Sequence, residues 1–239
     1  MSTQEYKIAA AQAALDLIED GMKVGLGTGS TAEQFINLLG ERVKDGLEVL
    51  CVPTSKTSEI QAANLGIPLT TLDEEPFLDI TVDGADELDK DLRLIKGGGG
   101  ALLREKIVAM SSDRMVVIGD NSKLVDTLGK FPLPVEVDRF GLRATLEMIA
   151  ALTDELGLHQ DLQVRESEDG GFYQTDGGHY IVDCSYGVIP DPEELADCLA
   201  MLPGVIDSGL FIGIAERAFI GGPNGVEVYV SPYEDEEMV

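Results

Sequence analysis

A chain of 239 residues can bury a sizeable core, as one large domain or as a main domain with a smaller companion. Its 44 acidic against 17 basic side chains leave a net charge of −27, a field that repels nucleic acid and anionic membrane surfaces and discounts both as partners. No run approaches the roughly 18 apolar residues of a membrane span, and the N-terminus lacks the basic-then-apolar pattern of a secretory signal. Cys51, Cys184 and Cys198 form no C-x-x-C pair, so a reducing, cytoplasmic setting is expected. The acidic excess also suits a salt-rich cytoplasm, where screening at molar salt shortens the Debye length to about 3 Å. A halophilic source is therefore an expectation.

In chain order, residues 3–20 are rich in alanine and leucine and stop at Gly21, the pattern of an amphipathic helix with a glycine C-cap and Lys7 in its first turns. A strand over 22–26 runs into GTGSTA (27–32), with a helix from about 33 to 43. The N–H groups of this loop and the hydroxyls of Thr28, Ser30 and Thr31 can cradle an anion, aided by the helix dipole. The G-x-G-x-G spacing is not the dinucleotide pattern. The next strand, 47–52, ends in Pro53-Thr54 with no acid to hold a ribose, and no Gly-Lys-Ser/Thr follows. A phosphate-sized anion or a merely structural turn remain as readings.

A helix over 55–65, a short strand over 67–71 and a β-branched run over 78–82 continue the alternation. Asp83-Gly84 ends that run, which places Asp83 at a strand's carboxyl end, the edge of an open α/β sheet where ligands bind. Lys96 and four glycines then lead into a helix, 98–111, apolar except for Arg104, Glu105 and Lys106. The neighbours of Glu105 at three and four positions are Ala101, Leu102, Val108 and Ala109, so nothing polar on its own face explains it. It must be paired with Arg104, Lys106 or Lys96, kept partly protonated with a raised pKa, or open to a ligand. A strand over 114–118 and a helix from about 122 complete a βα pattern, and Lys123 of DNSK (120–123) again opens a helix after a strand.

After Pro132 the order becomes β-α-β-β-α-β: 133–138, a helix over 142–156, a strand over 161–166, a hairpin turning at 176–178, a helix over 192–202 and a strand over 205–207. Segments 211–222 and 225–232 read as strands returning to the main domain, and 234–239 as a frayed tail. The expected fold is α/β: a Rossmann-like, doubly wound, mainly parallel sheet formed by 1–131 and 207–239. A smaller ferredoxin-like α+β domain is expected over 132–206.

Both histidines, His159 and His179, lie in the small domain, which leaves poor material for a Ser-His-Asp or histidine–metal mechanism. Asp83, Asp86, Glu87, Asp89 and Asp91 lack EF-hand spacing, since Leu92 stands where the central glycine is needed. No metal and no organic cofactor are expected. Carboxylates, Lys96, hydroxyls and backbone N–H groups remain, a set suited to proton transfer beside a carbonyl.

GTGSTA at 27–32, VDGADE at 82–87 and KGGGGALLREK at 96–106, in this order, with DNSK and the late ferredoxin-like insertion, resemble ribose-5-phosphate isomerase of the A type over nearly the whole chain. The resemblance implies interconversion of ribose 5-phosphate and ribulose 5-phosphate through an enediol, in a homodimer or homotetramer. It implies Glu105 as the base between C2 and C1. Asp83 and Asp86 would act on sugar hydroxyls and ring opening, beside Gly84 and Ala85. Lys96 with the N–H groups of Gly97, Gly98 and Gly99 would steady the oxyanion. Thr28, Gly29, Ser30, Thr31, Lys123 and Lys7 would hold the far end and its phosphate. Another sugar-phosphate enzyme on the same scaffold, a deaminase or lactonase, or a non-catalytic sugar-phosphate sensor, are the alternatives.

Overall fold

A computed structural model of the chain describes residues 2–159 and 161–232. The tail expected over 234–239 lies outside them.

The chain opens with α1 (Thr3–Leu15), β1 (Lys23–Leu26), α2 (Ser30–Lys44), β2 (Leu50–Pro53), α3 (Lys56–Leu65) and β3 (Ile80–Asp83). Short strands β4 (Glu87–Leu88) and β5 (Leu94–Ile95) precede α4 (Leu102–Met110) and β6 (Met115–Asp120). The small unit holds β7 (Leu133–Val137), α5 (Leu142–Glu155), β8 (Leu162–Val164), β9 (Tyr180–Cys184), α6 (Pro192–Ala200) and β10 (Val205–Ser208). The chain returns through β11 (Leu210–Phe211), β12 (Arg217–Gly222) and β13 (Gly225–Val230).

The main sheet runs β13-β12-β6-β3-β1-β2, parallel throughout except for the β12–β13 hairpin. Its inner strands are buried on both faces because both faces are covered, whereas the edge strand β13 is largely exposed. Val116 and Ile118 of β6 join Val24, Leu26, Val82 and the α1–α2 residues Ala10, Ala14, Phe35 and Leu39 on one side. Met115 and Val117, one residue out of phase, join Leu94, Ala109, Phe211 and Ile220 on the other. This is the doubly wound layering expected. Helix α1 lies so close to β12 that a Cβ at Gly221 would overlap the Tyr6 carbonyl, which fixes the height of Lys7 above the sheet edge.

The small unit's sheet is antiparallel in the order β10-β7-β9-β8, the ferredoxin-like arrangement, with Val135, Val137, Val182, Ile149, Leu195 and Leu199 in its own core. A third sheet, β11-β5-β4, was not foreseen: two-residue strands carry too little pattern to be read. It carries Lys96, whose N–H donates to Gly209 O at 2.8 Å.

Several boundaries differ from expectation. Helix α1 ends at Leu15 with Asp16 as its C-cap. The next residues tighten into i→i+3 turns, Leu17 N–H to Ala14 O and Ile18 N–H to Leu15 O, which bury Ile18 against the core. The strand over 67–71 is a single bridge between Leu69 and Cys51. Helix α2 begins at Ser30, directly after the glycine loop, and α4 begins at Leu102, leaving all four glycines in a loop. The helix expected from 122 is a single 3-10 turn, Asn121–Lys123, capped by the Asp120 side chain; Leu124 then turns extended to bridge Leu88.

Candidate active site

The carboxyl ends of β1 and β3 lie side by side, since Leu26 pairs with Val82. A Cβ at Gly27 would overlap the Asp83 carboxylate, so only glycine lets the two strand ends come this close. Asp83 is fully buried; its Oδ1 accepts the N–H of Thr28 (3.0 Å) and of Gly84 (2.7 Å). The Thr28 hydroxyl meets those of Thr54 (2.7 Å), Ser55 (2.8 Å) and Ser58 (3.2 Å), and Ser58 donates to Gly27 O at 2.6 Å. Thr54, Ser55 and Ser58 were missed by the sequence reading. Four hydroxyl side chains within five residues, TSKTS at 54–58, after a strand's carboxyl end were the available signal.

This loop sets the N-terminus of α2, where Gly29 is an N-cap without a side-chain acceptor, so the first N–H groups of the helix are left for an external anion. Lys7 donates to Ser30 Oγ at 2.8 Å, and Lys123 comes to the same cavity from the turn after β6. Two cations more than a hundred residues apart in the sequence thus flank one helix start.

On the other side stands a buried charge cluster. Lys96, 2% exposed, donates to Gly84 O at 2.6 Å and lies 3.0 Å from Asp83 Oδ2 and 3.5 Å from Glu105 Oε1. Burial works against its ammonium, but the charges of Asp83 and Glu105 more than offset it and hold Lys96 above its ordinary pKa. An ammonium has three N–H donors. Two serve Asp83 and Gly84 at short range, and the third, with only a long contact to Glu105, is the one a ligand can take. Arg104 and Lys106 are not partners of Glu105: they pair with Asp176 (3.3 Å) and Asp207 (2.5 Å).

Glu105 is 4% exposed, and its Oε2 is buried with no hydrogen-bond partner among the described residues. Burial, reinforced by the charges of Asp83 and Asp86 and opposed by Lys96, raises its pKa to about 8. A carboxylate so placed is a base near neutrality rather than a permanent anion. Asp86 accepts the N–H of Gly98 at 2.7 Å and faces the same space.

One cavity is lined by the loop residues Thr28, Gly29, Ser30 and Thr31, by Gly84, Ala85 and Asp86, by Lys96, Gly97 and Gly99, and by Glu105 and Lys123. Of the expected site residues, Asp83, Gly98 and Lys7 lie outside this lining: Asp83 sits behind Lys96, Gly98 is turned toward Asp86, and Lys7 reaches the loop through Ser30. The acidic stretch after Asp86 is structural here. Glu87 accepts Gly129 and Phe131 N–H groups, and Asp89 accepts from Asp91 and Arg93.

Residues 50–225 match the family model of ribose 5-phosphate isomerase A (phosphoriboisomerase A). The chain is 57% identical over 232 residues to ribose-5-phosphate isomerase A of Rhodopseudomonas palustris strain BisB18, covering 97% of this chain and 100% of that one. It is also 57% identical over 223 residues to the Brucella suis biovar 1 protein of that name, covering 93% and 96%. Among solved structures, a D-ribose-5-phosphate isomerase in complex with phospho-erythronic acid superposes with a TM-score of 0.91 at 38% identity, covering 96% of this chain and 100% of that one. The Methanocaldococcus jannaschii ribose 5-phosphate isomerase A gives 0.89 at 39% identity, covering the same shares. These likenesses favour the isomerase over a deaminase, a lactonase or a sensor, and the chain belongs to the ribose 5-phosphate isomerase A family, aldose–ketose isomerases that interconvert ribose 5-phosphate and ribulose 5-phosphate.

Proposed function

We propose that Glu105 is the base of this isomerisation. In the ring-opened aldose it removes the proton on C2; the C2–H electrons form the C1=C2 bond and the carbonyl pair moves onto O1. A proton passes between the two oxygens of the enediolate, and protonated Glu105 returns its proton to C1, leaving the ketone at C2. The third N–H of Lys96 and the loop N–H groups stabilise the oxyanion. Asp86 orients sugar hydroxyls and assists ring opening, with Gly84 and Ala85 beside it. Asp83 acts there through Lys96 and the Thr28 loop, which it positions. The start of α2, with Ser30, Thr31, Lys123 and Lys7, holds the phosphate.

The observation that supports this reading is the shared cavity: Glu105, whose Oε2 has no hydrogen-bond partner among the described residues, and the open N-terminus of α2 line one space. We further propose the division into a catalytic domain, 1–131 with 207–239, and a small domain, 132–206, in a cytoplasmic homo-oligomer adapted to salt. The test is Glu105→Gln, which removes the base and keeps the shape. It is expected to bind ribose 5-phosphate normally and to lose about 10²-fold or more in kcat. Near-normal turnover would take Glu105 out of the base role.

A further inference from the structure

The four-glycine loop has no side chains to hold its peptides, yet an oxyanion cradle needs them fixed before the charge develops. The loop's own Gly100 N–H donates to Gly97 O at 2.9 Å, and the small domain adds a second restraint. Arg165, just after β8, donates from Nη1 to Gly97 O (2.9 Å) and Gly98 O (3.2 Å), while its Nε and Nη2 form a two-pronged pair with Asp183 of β9 at 2.9 and 2.5 Å. Its own backbone is pinned on both sides, its N–H to Ile181 O and its carbonyl to Tyr173 N–H, each at 2.8 Å. The Tyr173 ring lies 5.9 Å from the guanidinium.

In a trans peptide the N–H points opposite to the preceding C=O, and every described peptide here is trans. Turning the carbonyls of Gly97 and Gly98 toward Arg165 therefore turns the N–H groups of Gly98 and Gly99 the other way. The first meets Asp86, at 2.7 Å. The second has no partner among the described residues, and Gly99 lines the cavity that holds Glu105 and Lys96. Arg165 itself lies outside that cavity; with Gly98 it faces a separate hollow against the small domain.

We propose that Arg165 is a positioning residue for the isomerisation: it orients two peptide planes so that Gly99 presents a preset N–H to the enediolate. This rests on the reading of Glu105 as base and of the glycine loop as oxyanion cradle. Guanidinium is suited to the task because a planar fork can hold Asp183 and both carbonyls at once, which an ammonium cannot.

The test compares Arg165→Gln, Arg165→Lys and Asp183→Asn with the parent, measuring kcat, KM and the affinity for 4-phospho-erythronic acid, whose carboxylate stands in for the enediolate oxygens. Arg165→Gln is expected to lower kcat by about 10- to 100-fold, with KM within about threefold and the acid's affinity falling in parallel. Arg165→Lys should recover part of the loss. Asp183→Asn, which keeps the guanidinium but loosens it, should lose about 3- to 10-fold in kcat and carries the test if the Arg165 variants do not fold. A kcat within twofold of the parent, or a fall in kcat with the acid still bound at full affinity, would overturn the proposal. Glu105→Gln assayed alongside separates the two readings. If it loses turnover while the Arg165 and Asp183 variants keep theirs, only the clamp is wrong; if it too keeps turnover, the base reading is wrong.

Discussion

At the scale of residues, the site is a contest between burial and pairing. Lys96, Asp83 and Glu105 are each at most 4% exposed, and one ammonium serves two carboxylates. Removing it leaves both carboxylates uncompensated, so Lys96→Met should destabilise the fold by about 3–5 kcal/mol in a urea titration, besides losing activity. A shift much below 1 kcal/mol would mean that the carboxylates do not depend on it. The raised pKa of Glu105 also gives a pH profile. The base acts only when deprotonated, so kcat/KM should rise about tenfold per pH unit below pH 8 and level off above it. Stability runs the other way. A carboxyl whose pKa is about 8 folded and 4.5 unfolded stabilises fully below 4.5 and loses that contribution as pH rises through 8. Glu105→Gln should remove this loss, so its melting temperature should gain on the parent's between pH 6 and pH 9. Equal pH slopes for the two proteins would contradict the buried, proton-sharing state. Glu105 was legible in the sequence because a lone carboxylate among Leu102, Val108 and Ala109 demands a reason. Its partner was legible only as one of three cations, Arg104, Lys106 or Lys96: helical spacing sorts neighbours on one helix, and the choice of Lys96 is made by β5, a strand too short to read.

At the scale of elements, the glycine loop is legible in type but not in support. GTGSTA at the end of an apolar strand announces an anion cradle, yet the hydroxyls that brace it come from the β2–α3 junction and the first turn of α3, and come together only when β1 and β2 pair. Ser58→Ala breaks the bond to Gly27 O and should raise KM for ribose 5-phosphate several-fold while costing about 1 kcal/mol of stability. An unchanged KM would make this hydroxyl a bystander. The helix expected from residue 122 failed because Asp120 caps a single turn and Leu124 then spends its backbone on Leu88. Lys123 nonetheless reaches the cavity, since what places it is the end of β6 rather than the length of the helix.

At the scale of the molecule, alternating apolar strands and helices made the doubly wound sheet legible, and the change of rhythm after Pro132 made the ferredoxin-like unit so. The β11-β5-β4 sheet between them was not, although it delivers Lys96. The net charge of −27 opposes compaction wherever it is unscreened. Thermal stability should therefore climb steeply between low salt and about 1 M salt, as the Debye length shrinks from tens of ångströms to about 3 Å. A flat salt series would remove the salt adaptation. The central claim remains that one buried carboxylate carries a proton between neighbouring carbons, and hydrogen exchange tests it most directly. In D2O the parent enzyme should place deuterium on C1 of the ribulose 5-phosphate it forms and exchange the C2 hydrogen of ribose 5-phosphate, both followed by NMR. Glu105→Gln should lose both about 10²-fold or more while still binding substrate. Undiminished exchange and turnover in the variant would contradict the account.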